Sequence, residues 1–405
     1  MTLTCRSLFV VPLLAVACSD STGPLTKLPR ALTSSEQQTL VAANEFSFAL
    51  FRQLARSQAG RNVFVSPLSA SMSLGMAMNG ANGATLEAMR TALGVGPADL
   101  SQINAGYKGL IDLLRSLDQT TTFQLANSIW YRNTFAFKQS FLDTTKKWFD
   151  AEVRGLNFDD APGSLATING WVSANTGGKI PTILDEIRRD EVMFLINAIY
   201  FKGTWRLQFD RSRTTPAPFY AADGSTQTVP TMRRPQDLAP KFRIGGTSSL
   251  SLVELPYGNG AFMMDILLPP DKTNVDSVAA TLSTATWSQL LGSLAETDIG
   301  LTLPKFSLSY DKTLNEDLVA LGMGLAFTDA ADFSGMSAAR LALEFVKQKT
   351  FVDVNEEGTE AGAATVTGVQ LVSLRQIDVN HPFIFIIRER LSGSIVFMGK
   401  ILRIP

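Results

Sequence analysis

Histidine is nearly absent from this chain of 405 residues: His381 is the only one. Cysteine is almost as scarce, and both copies, Cys5 and Cys18, fall within the first eighteen residues. The body of the chain therefore has no thiol nucleophile, no disulfide and no sulfur ligand, and a metal site of the His/Cys kind is excluded. A Ser-His-Asp or Cys-His centre would have to be built on His381, with no body cysteine as nucleophile. Charge of one sign is also missing: 36 Lys and Arg face 37 Asp and Glu, so the totals point to no nucleic-acid partner. The pairs Gly177-Gly178 and Gly245-Gly246 lack the flanks of a phosphate-binding loop. Adjacent acids occur at Asp159-Asp160 and Glu356-Glu357, but neighbours on a strand point to opposite faces and make no natural acid–base pair. The chain reads as a non-enzyme that needs no metal and no cofactor.

What is present is an ordinary globular composition, 45% hydrophobic, long enough to bury a large core. An apolar run, Leu8 to Cys18, follows the single charge of Arg6. It is too short to span a membrane and fits a signal peptide over residues 1–17. Ala15-Val16-Ala17-Cys18 resembles a bacterial lipobox with Cys18 as the lipidated residue, although Ala15 stands where leucine is preferred. The same residues satisfy the small-x-small rule of ordinary cleavage. Residues 18–34 then form a flexible tether and 35–405 a single domain without internal repeats. Either processing route exports the chain, as an outer-membrane or cell-surface lipoprotein touching the membrane through its lipid alone, or as a secreted protein.

The body mixes helix and strand patterns. Thr33 and Glu36 make a capping box ahead of Leu40, Ala43, Phe46, Leu50 and Leu54 at helical spacing. Asn62–Val65 reads as a short strand, and Ser66-Pro67 starts a helix with proline at its first position. Residues 101–118 form an amphipathic helix carrying only Lys108 and Arg115 as bases. Phe123, Leu125, Asn127, Ile129 and Tyr131 alternate as a strand. Residues 168–176 are a helix stopped by Gly177-Gly178. The run Val192–Phe201 suits a strand buried on both faces, interrupted by Asn197. A buried amide must be hydrogen-bonded, or it costs roughly 1–3 kcal/mol. Further strands are expected at 249–255, 261–268 and 299–303, and a helix at 311–321. His381, before Pro382, reads as structural.

The most unusual stretch runs from Asn355 to Ser373, N-E-E-G-T-E-A-G-A-A-T-V-T-G-V-Q-L-V-S. After Gly358 come nine residues that are all small or β-branched except Glu360. Composition alone favours a surface loop. As a strand, however, Thr359, Ala361, Ala363, Thr365 and Thr367 would share one face, with Glu360, Gly362, Ala364 and Val366 on the other. The one charge then points outward, and the inward face is slim enough to enter between strands already packed.

The motifs N-V-F-V-S-P-L-S (62–69), G-A-N-G-A-T (80–85), I-N-x-W-V-x-x-x-T-x-G-K-I (168–180), F-K-G-T-W (201–205), F-T-x-x-A-D-F-S-G-M (327–336), N-E-E-G-T-E-A (355–361), H-P-F-I-F-I-I-R (381–388) and I-V-F-M-G-K-I (395–401) resemble those of the serpin family over most of the chain. The resemblance implies an α+β serpin fold with three sheets, a helix over the main sheet and an exposed reactive-centre loop. It implies a hinge at Glu356, Glu357, Gly358, Thr359, Glu360, Ala361, Gly362, Ala363, Ala364 and Thr365. It also implies a "shutter" of Ser66, Ser69 and Asn197, with Gln348 where histidine is usual, and a "breach" at Trp205. Counting the family's hinge length from Glu356 and Gly358 places the reactive bond at Val372-Ser373. Counting back from Pro382 gives Leu371, and Arg375 serves only in a loop three residues longer. The implied function is covalent trapping of an elastase- or subtilisin-like serine protease by a monomer. Two bases on 101–118 make the heparin site of some relatives unexpected. A non-inhibitory binding or carrier protein is the alternative; Gly362 in place of a frequent alanine is the one hinge departure in its favour.

Overall fold

The computed structural model describes residues 24–235, 241–358 and 376–405. The expected signal peptide (residues 1–17), Cys18, the part of the expected hinge from Thr359 to Thr365, and Leu371, Val372, Ser373 and Arg375, expected at the reactive bond, lie outside them.

The helices are α1 (Ser34–Ser57), α2 (Pro67–Met78), α3 (Gly83–Leu93), α4 (Leu100–Ser116), α5 (Gln139–Phe149), α6 (Ala161–Asn175), α7 (Val275–Thr281), α8 (Thr284–Gly292) and α9 (Asn315–Leu318). The strands of the first half are β1 (Val63–Val65), β2 (Thr122–Arg132), β3 (Glu152–Leu156), β4 (Met193–Lys202), β5 (Thr215–Tyr220), β6 (Thr226–Arg234), β7 (Phe242–Thr247) and β8 (Leu250–Pro256). Then follow β9 (Phe262–Leu268), β10 (Ala295–Thr297), β11 (Gly300–Pro304), β12 (Phe306–Thr313), β13 (Lys347–Val354), β14 (Gln376–Asp378), β15 (Phe383–Glu389) and β16 (Ile395–Ile401).

Local signals account for many boundaries. The Thr33–Glu36 capping box starts α1, and its expected apolar stripe is buried. Ser66 caps α2 with Pro67 behind it. Positive φ at Gly177 and Gly178 turns the chain after α6.

A seven-stranded sheet, β1-β16-β15-β9-β8-β7-β10, is the centre of the molecule. Its strands β9, β15 and β16 are buried at every position. Near-continuous apolar runs suit them because both faces are covered. Phe306 of β12 lies against Phe383 and Phe385, with ring centroids 6.0 and 5.7 Å away. On the opposite face Lys400 donates to the Ala55 carbonyl of α1. Phe385 fits because it pairs with Gly399, where a Cβ would stand 2.4 Å from the ring.

Three smaller sheets complete the described residues: β14-β11-β6-β5, β3-β2-β4 and β12-β13. Three sheets are expected; a fourth arises because β4 and β13 run side by side without a ladder between them. Their two groups would otherwise form one five-stranded sheet.

Two expectations need correction. Asp311–Leu321 is not one helix. Asp311-Lys312-Thr313 finish β12, and Asp311 lies directly opposite Lys349 with an ion pair of 3.1 Å. This cross-strand pairing overrides helical propensity in the first residues, so the helix begins only at Asn315; beyond α9 it continues as a π turn, Val319–Met323, and a 3-10 turn, Gly324–Phe327. The run Val192–Phe201 is a strand, paired antiparallel with β2, but it is not buried on both faces. Phe194, Ile196 and Ala198 pack beneath Ile168 and Val172 of α6. Met193 and Leu195, on the other face, remain half-buried because they look onto a cavity.

Candidate functional site

The facing edges of β4 and β13 are joined at one end by a tight turn and in the middle by side chains from α2. At the end, Asn355 and Gly358 exchange backbone hydrogen bonds of 3.0 and 3.2 Å. The Glu357 carbonyl accepts from Trp205 N (2.7 Å) and the Glu356 carbonyl from Phe209 N (2.9 Å). Trp205 Nε1 donates to the Asn355 carbonyl at 2.9 Å, and its ring stacks on Tyr257 with centroids 4.3 Å apart. Gly358 allows this closeness. Its φ is +128°, and a Cβ there would stand 2.2 Å from the Gly203 carbonyl and 2.5 Å from Trp205 N.

Glu356 and Glu357 are both buried, on a turn rather than a strand. Glu356 takes Lys305 Nζ at 2.8 Å and the Thr214 hydroxyl at 2.7 Å; Glu357 pairs with Arg211. Burial pushes the Glu356 carboxyl up, but Lys305 and Thr214 outweigh it and hold the group below its ordinary value. A depressed carboxylate pKa adds stability above the unfolded value and loses it as pH falls through the folded one. The turn is therefore expected to loosen only below the ordinary carboxyl value of 4.5, as pH falls through the lowered one, read as a rise in amide exchange at residues 355–358. Glu356→Gln should flatten that rise.

In the middle, the start of α2 reaches both edges. Ser66 N donates to Gln348 Oε1 and Gln348 Nε2 to the Ser66 carbonyl, each at 2.8 Å. Ser66 Oγ donates to the Val396 carbonyl at 2.8 Å. Ser69 Oγ donates to Asn197 Oδ1 at 2.5 Å, and Asn197 Nδ2 to Asn127 Oδ1 at 2.6 Å. One helix end thus holds β13 through Gln348 and β4 through Asn197. Replacing Gln348 by leucine orphans the buried Ser66 N–H, at roughly 1–3 kcal/mol, and costs the Ser66 carbonyl, which keeps the Ala70 N–H at 3.1 Å, about 0.5–1.5 kcal/mol. A drop of about 2–4 kcal/mol is expected, seen as a lower guanidinium midpoint at unchanged slope.

The structure thus brings Ser66, Ser69, Asn197 and Gln348 together, and seats Trp205 against Asn355–Gly358. Sequence reasoning missed Asn127, Tyr257, Lys305, Thr214 and Arg211. Asn127 had a signal, as a polar residue on the buried face of an alternating strand. The others lie some 50 to 150 positions from their partners and had none. His381 bridges the Asn380 side chain (2.9 Å) and the Pro269 carbonyl (2.8 Å). On α4, Lys108 and Arg115 both contact Asp150, at 3.5 and 2.9 Å.

Helices and several sheets around a central gap, closed by a turn and a polar staple, define a protein of the serpin class. The profile described as "Serpin (serine protease inhibitor)" matches residues 41–404. The leukocyte elastase inhibitor of Bos taurus is 35% identical over 384 residues, covering 90% of this chain and 99% of the relative. The native-state structure of tengpin, a thermophilic serpin, superposes with TM-score 0.83 at 28% identity, covering 95% of this chain and 97% of its own. Human thyroxine-binding globulin also gives 0.83, at 25% identity over 91% and 99% of the two chains. The chain belongs to the serpin family.

Proposed function

We propose that this chain is a suicide-substrate inhibitor of a serine endopeptidase. The observation that carries the reading is the unladdered gap between β4 and β13, next to a hinge sequence of slim side chains. A protease whose nucleophile attacks the Val372 carbonyl breaks the Val372–Ser373 bond, becomes acylated by the chain, and would free the fourteen residues Thr359–Val372. Entering the gap as a strand at ~3.3 Å per residue, they would carry the protease roughly 45 Å. A domain of this size is about 54 Å across from its expected radius of gyration of ~21 Å. The acyl-enzyme would arrive near the far end, where distortion of its oxyanion hole removes a rate factor of ~10²–10³. The inhibitor needs no catalytic group of its own. It needs a metastable fold held by a kinetic barrier, and the α2 staple and the Asn355–Gly358 turn are suited to hold it.

Valine or leucine before the cut suits an elastase- or subtilisin-like target. The likeness to leukocyte elastase inhibitor supports that direction. Signal-peptide cleavage with lipidation at Cys18 would place the inhibitor at the cell surface as a monomer on a tether.

Likeness to thyroxine-binding globulin favours a second reading, a carrier that is merely cleaved. Incubation with pancreatic elastase and with subtilisin separates the two. The inhibitor gives an SDS-resistant complex whose mass identifies the cut bond; the carrier gives clean cleavage alone. Thr365→Arg, with a bulky charge on the inward face, should cleave without a complex. If it traps protease as well as the parent does, the strand parity is wrong.

A further inference from the structure

At the Met193 end of β4 the gap widens into a cavity of about 260 Å³. Its lining includes Ser73 and Ala77 of α2, Leu195 of β4, and Leu341, Leu343 and Phe345 of the chain entering β13. Leu341, Leu343 and Phe345 are only half-buried, although they pack against core residues. The volume lies just under the ~300 Å³ at which sites for drug-sized ligands begin, which limits the occupant to a small molecule.

The lining carries three carboxylates against two cations, so the polarity of an occupant is set by the cation left unpaired rather than by net charge. Three carboxylates stand there, and Arg188 engages all of them: Glu191 at 3.4 Å, Asp190 at 3.7 Å, and Glu344. Lys347 is held by Asp185 at 3.1 Å and Asp311 at 3.6 Å. Arg340, also in the lining and exposed, has no ion-pair partner among the described residues. An apolar wall with one available guanidinium suits a molecule with a hydrocarbon body and a single anionic end.

We propose that this cavity binds a small anionic amphiphile, its carboxylate on Arg340 and its apolar body between β4 and residues 341–345. The cavity occupies the base of the gap, so a bound molecule and a fully entered strand compete for the same space. Occupancy therefore stabilises the uncut fold over the inserted one and slows the last part of insertion. That slowing gives water more time to release the protease. This regulatory consequence rests on the inhibitor reading; the binding site does not.

Decanoate is the probe, measured by calorimetry on the intact folded chain beside decyltrimethylammonium. One decanoate should bind per chain, with the ammonium at least tenfold weaker. Arg340→Glu, a surface change that leaves the core intact, should weaken decanoate at least tenfold, and Ser73→Phe should block it by filling the cavity. Absence of saturable decanoate binding, or equal binding by Arg340→Glu, overturns the site. The number of inhibitor molecules consumed per subtilisin trapped should rise at least twofold with saturating decanoate, with subtilisin activity alone as control. An unchanged ratio overturns the regulation. Decanoate binding by a chain that traps no protease upholds the site and refutes the inhibitor reading instead.

Discussion

Cutting the chain at the Val372 bond is expected to raise its melting temperature rather than lower it. Nicks in exposed segments normally cost stability, because they enlarge the entropy of the unfolded chain. Here β4 offers ten residues of edge and β13 eight, with no ladder between them. A strand entering between them would complete about ten backbone hydrogen bonds or more, each worth roughly 1 kcal/mol net. The gain is of order 10 kcal/mol. At about 1–2 °C per kcal/mol for a domain of this length, melting should move up by at least ~10 °C. Calorimetry of intact and nicked protein tests this directly. Equal melting temperatures would mean that no energy is stored, and the inhibitor reading would fail.

Gly358→Val is expected to have the next largest effect. Valine at φ +128° is strained for any β-branched side chain, and its Cβ would sit 2.2 Å from a carbonyl oxygen of the backbone, which cannot swing aside. The turn would have to leave its seat, giving up the bonds to Trp205 and Phe209 and exposing or orphaning two buried carboxylates. A loss above about 3 kcal/mol is expected, with a lower melting temperature and a red-shifted tryptophan emission as Trp205 is uncovered. Gly178 provides the control. Its φ is +76°, yet nothing lies within 4 Å of a Cβ, so Gly178→Val shows the cost of the backbone angle without the collision. Similar losses in both variants would show that Gly358 matters for its conformation alone and not for the fit against Gly203–Trp205.

Much of this architecture can be read from local pattern. The α1 capping box, the proline entering α2, the glycine stop after α6 and the continuous apolar runs of β15 and β16 depend on residues close in the chain. The start of the helix expected at 311–321 was misplaced for the complementary reason. Asp311 is set by Lys349, 38 positions away, which no local window contains. The partners of Glu356 and Glu357 were equally hidden, since a turn was not distinguishable from the end of a strand by alternation alone.

What the chain determined by itself is the chemistry it lacks and the slim segment after Gly358: one histidine, no body cysteine and a run of small residues need no folding to be seen. Only the tertiary structure decided that β4 and β13 stay apart, that one end of α2 is bonded to both, and that a cavity opens at their base. Contacts of that kind join segments more than a hundred residues apart, and their geometry depends on the packing of the whole domain rather than on any stretch of it.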